Sequence, residues 1–268
     1  MSAEKLDTRF GVLESEGGYP TDEAAEVSPM SIPRLILLHL APGALATILF
    51  VFIAQPLEAA GYPPVLAFFI AVLAVIIPWE FGFVLWAGRR AGGGWFAAVG
   101  FREPLSTREW VTVFPAVFAV SLVGFLTLSL LDPTILDAVF GWLPPWFVEL
   151  VPLDNVAAYS SGAWTVTLIV YAVMNIFVGP GVEELYFRGY LLPRMSQMGK
   201  WAPFVNSALF SLYHFWSPWS LLTRVVGVTP LAYAVWWKRN IYLGMAVHML
   251  LNGLSTTFLI VTIAGKLS

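Results

Sequence analysis

Glu183-Glu184-Leu185-Tyr186-Phe187-Arg188 places two carboxylates and a guanidinium directly after an apolar run over 163–178. Ionisable groups at membrane depth cost several kcal/mol, so they are rare there and mark function. The rest of the chain keeps charge away from such places. Of its 268 residues 58% are hydrophobic and only 12% charged, and the mean hydropathy is +0.76. Soluble domains carry about a quarter charged residues. The composition therefore predicts an all-α fold, a polytopic membrane helix bundle. Since each crossing needs about 20 residues, its length suits a single transmembrane domain.

Seven spans are expected, over 35–54, 64–86, 111–131, 163–178, 201–216, 220–237 and 241–263, with a kink in the first at Pro42-Gly43. Residues 1–30 are polar and acidic, without the basic start and apolar core of a signal peptide, and read as a mostly disordered tail. Residues 31–268 then form the transmembrane domain. Trp142, Pro144, Pro145 and Trp146 suggest a segment lying at a membrane interface. Threading seven spans puts Arg34, Arg89, Arg90, Arg102, Arg108, Arg188, Arg194, Lys200, Lys238 and Arg239 on one side. The positive-inside rule assigns that side and the N-terminus to the cytoplasm, and the plasma membrane is the expected location. A net charge of −3 and the lack of a polybasic tract give no reason to expect nucleic acid as a partner. With no cysteine, disulfides, thiolate nucleophiles and thiolate metal sites are excluded.

On a helix, Glu184 and Arg188 stand four apart with the acid first, the favourable order for a same-face pair. Glu183 is turned about 100° away, so one carboxylate can be neutralised while the other faces elsewhere. Asn206, Phe210 and His214 share one stripe, and His248 and Asn252 another. Counting at 1.5 Å per residue puts His248 about 12–15 Å below the Lys238-Arg239 end. Glu183, His214, His248 and Asn252 could therefore line one cavity open to the cytoplasm. They supply a base, a second polar group for water and donors for developing negative charge, the inventory for hydrolysis.

The series Glu183-Glu184-x-x-x-Arg188, Phe210-x-x-x-His214, His248-x-x-x-Asn252 resembles the three-motif signature of the CPBP (Abi) family. That family includes the type II CAAX prenyl protease and the lysostaphin-resistance and bacteriocin-immunity proteins. The likeness covers 163–254, and every motif position is filled. It implies an intramembrane endopeptidase acting on a membrane-associated protein or peptide. Glu183 would be the general base, helped by His214. His248 and Asn252 would hold the oxyanion, Glu184 and Arg188 would form a structural pair, and Phe210 would be packing. Glu183, His214 and His248 could also ligate Zn²⁺, with water in the fourth position. The chemistry leaves open whether zinc or Glu/His alone activates the water.

Rival readings fit less well. The zinc-protease sequence His-Glu-x-x-His is absent. Ser255 lies two turns from His248, about 10 Å, too far for a Ser/His dyad. A non-catalytic scaffold or immunity protein would carry the cost of unused buried charge. A transporter would need Glu80, Arg224 and His39 as path residues. Their positions read more simply as span-end side chains, with Glu80 and Arg224 snorkelling to the interface.

Overall fold

A computed structural model describes residues 27–267. Most of the expected acidic tail, residues 1–26, lies outside the described residues. Met30 is buried, and its backbone N–H donates to the Arg194 carbonyl at 2.9 Å.

Among the described residues the chain is helical without a strand. The principal helices are α1 (Ile32–Ala59), α2 (Pro64–Arg90), α3 (Thr107–Phe140), α4 (161–191), α5 (Ala202–Leu212), α6 (Leu221–Lys238) and α7 (Ile241–Leu267). Five helical runs are long and apolar enough to cross a membrane. That is fewer than the seven expected, and the difference lies in α5 and α6. Helix α5 follows α4 in one 52-residue run, broken at Met195 and Gly199. Its own 11 residues reach only about 16 Å, half of a hydrocarbon core. Helix α6 carries Arg224 and Lys238 and is not among the five.

The bundle sets a few polar groups into an apolar core and is apolar outside. His39, Glu80, Glu184, Arg188 and Asn206 are fully buried, whereas Leu37, Phe52, Val111, Leu130, Phe258 and Val261 are exposed. Only 6% of the residues in the most apolar stretch of α3 are buried, as expected of a helix facing lipid.

The two ends differ in charge. At one, Arg194 donates to the Ala98 carbonyl, Lys238 pairs with Glu109 at 2.9 Å, and the Ile241 N–H donates to the Phe101 carbonyl at 2.8 Å. These contacts gather the loops that hold Arg102, Arg108, Lys238 and Arg239. Ser106 starts α3 there with a reciprocal cap, accepting from the Glu109 N–H while the Glu109 carboxylate accepts from its own. At the other end, residues 132–158 fold over the bundle. Thr223 donates to Asp132 at 2.6 Å, Tyr159 to Glu58 at 3.2 Å, and the Val65 N–H to the Leu150 carbonyl at 2.9 Å. Within this cap Trp142 is exposed, while Phe147 packs on Phe50 with ring centres 5.7 Å apart.

Helix α1 runs continuously through Pro42. A Cβ on the adjacent Gly43 would lie 1.9 Å from the Tyr213 carbonyl oxygen, so the missing side chain lets α1 touch the α5–α6 turn. Forcing atoms into packed interiors costs roughly 1–3 kcal/mol. Gly43→Ala is expected to lower the melting temperature in detergent by several degrees. Gly82→Ala, on α2 in open space, should leave it unchanged or raise it.

Candidate active site

The Glu183–Arg188 stretch lies where α4 changes its winding. Residues 184–191 form π turns, in which each N–H reaches the carbonyl five residues back. Such widened turns concentrate at functional sites. Glu184 and Arg188 lie on this segment with Oε1 and Nη1 3.2 Å apart, and both side chains are fully buried. The Phe210 ring covers the guanidinium, with its centre 4.1 Å from the Arg188 Cζ. Phe210 thus makes a cation–π contact as well as packing.

Glu184 has a second partner. Its Oε1 lies 3.0 Å from the His248 Nδ1. A carboxylate only accepts, so Nδ1 carries the proton and Nε2 is left to face the cavity. That Nε2 stands 3.8 Å from the Glu183 Oε2. A Cβ at position 244 would come within 2.6 Å of the Glu184 Oε2. Gly244 is therefore the residue that lets α7 close on α4.

His214 occupies the turn between α5 and α6. Its Nδ1–H donates to the Phe210 carbonyl at 2.7 Å, which again frees Nε2 as an acceptor. Asn252 donates one amide hydrogen to the Asn175 carbonyl at 2.9 Å, tying α7 to α4. Asn175 in turn donates to Thr256 at 2.9 Å.

Glu183, His214, His248 and Asn252 all line a single cavity of about 260 Å³. Its walls are mostly apolar, with Phe68, Phe69, Val72 and Ile76 from α2 and Phe125 from α3. Residues 165–254, about a third of the chain, match one family model. It is the model of the Rce1-like type II CAAX prenyl endopeptidases. No curated protein and no solved structure matches the chain. The Rce1-like segment nearly coincides with the 163–254 expected from the motifs. It contains all four residues, together with the Glu184–Arg188 pair.

Two expectations need correction. Glu80 does not snorkel. It lies about 15 Å from the Arg90 end of α2 at helical rise, is fully buried, and faces the Tyr213 hydroxyl. It is near enough to Glu183, Tyr213 and Arg188 to interact with them electrostatically. Arg224 turns inward too. It lines the cavity and donates to the Ser217 hydroxyl and carbonyl. Arg224 does stand at a span end, in the first turn of α6, but the direction either side chain takes is set by the neighbouring helices, which distance along a helix does not give. Tyr213, whose hydroxyl donates to the Glu183 Oε1 at 3.3 Å, was missed although it precedes His214. His39 is fully buried, its Nε2 3.0 Å from the Asn206 amide.

The donor set proposed for zinc does not fit. Among the described residues no three His, Asp or Glu side chains come together as a metal site. The Nδ1 contacts of His214 and His248 do not decide this, since a metal-ligating histidine also hands its second ring N–H to a carbonyl or carboxylate; the spacing of the side chains does.

Removing one partner of a buried ion pair strands the other charge, at a cost of roughly 3–5 kcal/mol. Arg188→Ala and Glu184→Ala should both lower the melting temperature in detergent sharply. Unchanged melting would contradict the pair's role.

Proposed function

We propose that the chain is an intramembrane endopeptidase in which Glu183 activates the attacking water. The observation that carries this reading is that Glu183, His214, His248 and Asn252, drawn from three separate stretches, line one cavity. The Rce1-like match over 165–254 supports the same class.

Water held between the Glu183 carboxylate and the His214 Nε2 gives its proton to Glu183 as its oxygen bonds to the peptide carbonyl carbon. Negative charge then builds on the carbonyl oxygen. His248 serves that oxygen as the imidazolium, its Nδ1–H on Glu184 and a second proton on Nε2 pointing at the oxygen. The second amide hydrogen of Asn252 serves as another donor. Preorganised donors of this kind contribute about 3–4 kcal/mol each to such steps. Glu183 then delivers its proton to the departing amine as the C–N bond breaks. Tyr213, donating to Glu183, fixes the carboxylate for both transfers. The substrate is a membrane-associated peptide whose apolar side chains meet Phe68, Phe69 and Val72.

The basic end faces the cytoplasm by the positive-inside rule, and the cavity opens on that side of the plasma membrane. A transporter would string its ionisable groups along a path. Here Glu183, Arg224 and two histidines gather around one chamber, which favours hydrolysis.

Glu183→Gln should reduce peptide cleavage in proteoliposomes by roughly 10²–10⁴-fold, the usual worth of a general base, with the melting temperature unchanged. Cleavage by this variant at the wild-type rate would overturn the assignment.

A further inference from the structure

Arg224 is the one arginine or lysine among the described residues lining the cavity, and the hydrolytic steps above leave it unused. Its setting is unfavourable in three ways. No carboxylate of the described residues lies within ion-pair distance of it. Asp132 and Glu183 act on it only at longer range, and Asp132 already accepts from Thr223. Its Nε is buried without a hydrogen-bond partner. It also sits in the first turn of α6, where the helix dipole disfavours a cation. Its bonds to Ser217 hold the guanidinium in place without neutralising it. A charge maintained at this cost beside a cavity calls for an anion from the ligand, and the guanidinium fork suits a carboxylate.

Depth says where that carboxylate would lie. At about 1.5 Å per residue, Arg224 is about 21 Å from Lys238, whereas Glu183 is about 12 Å from the basic end of α4. The 132–158 cap closes the bundle just beyond Arg224, through the Asp132–Thr223 bond. A peptide entering from the basic end therefore passes Glu183 before it reaches Arg224.

We infer that Arg224 is a specificity-determining residue that takes a carboxylate of the peptide on the departing side of the scissile bond. This rests on the endopeptidase reading. The carboxylate could be the chain's own C-terminus or an acidic side chain near it.

Three N-palmitoylated decapeptides with apolar C-terminal residues separate these sources: the free acid, the carboxamide, and a carboxamide with Glu as its last residue. Each is measured for cleavage in proteoliposomes and for binding to the Glu183→Gln protein in detergent. A C-terminal site predicts that the free acid alone is preferred, at least tenfold in kcat/KM. A side-chain site predicts that the Glu-terminated carboxamide is preferred too. In either case Arg224→Gln should raise KM for the preferred peptide at least tenfold, spare kcat, and leave the plain carboxamide unchanged. Arg224→Lys, which keeps the charge, should retain part of the preference and covers the case in which Arg224→Gln does not fold. An equal loss on every peptide would overturn the inference in favour of a transition-state or structural role. Equal binding of all three peptides to the Glu183→Gln protein, or no binding, would overturn it as well. Preferential binding without cleavage by the wild type would preserve the carboxylate site and sink the endopeptidase reading instead.

Discussion

Everything around the site depends on one constraint: a guanidinium enclosed wholly by protein. Arg188 is fully enclosed, with the Glu184 carboxylate on one side and the face of Phe210 on another. A lone buried charge would not be tolerated there, and the pair is stable only as a unit. The same carboxylate oxygen also accepts from His248, so the neutralising group doubles as the device that sets an imidazole's tautomer. Elements far apart in sequence are thereby fixed to one another. Helix α4 brings the acid and the base, α5 the aromatic ring, and α7 the histidine, with Gly244 admitting the last of these to contact.

Side-chain spacing made a good part of this legible before any coordinates. Helical periodicity alone put Glu184 and Arg188 on one face and Glu183 on another, and the structure pairs the first two at 3.2 Å. The grouping of Glu183, His214, His248 and Asn252 in one cavity was also readable, because each could be placed by its distance from a basic helix end. The alternation of basic loops marked which ends would meet. The contacts among the 98–109, 194 and 238–241 regions show that they do.

What escaped the sequence is what local periodicity cannot encode. The π turns at 184–191 alter which carbonyls are free, and no residue in that stretch announces them. Phe187 shows the effect: its carbonyl accepts from Asn206, whose amide also reaches His39 on α1 at 3.0 Å. Glu80 and Arg224 were visible as charges in apolar runs but were directed outward, because a helix's rotation about its own axis is set only by its neighbours. The short α5 was likewise read as a full span. Its apolar residues continue past Leu212 into Tyr213 to Trp216, where the chain in fact turns back on itself.

The contact of Gly43 with the Tyr213 carbonyl has a consequence for how the chain is divided. The recognisable family segment begins at residue 165, yet α1 abuts the residue next to His214. It also accepts from the Tyr186 hydroxyl at the Leu38 carbonyl, at 2.8 Å. The first helix is therefore fitted against the residues that line the cavity rather than an interchangeable membrane anchor. A chimera that grafts 165–254 onto another protein's leading helices would inherit the chemistry's side chains without the surface that holds them in register. Because Gly43 meets a backbone carbonyl rather than a side chain, no substitution at Tyr213 could make room for a larger residue there.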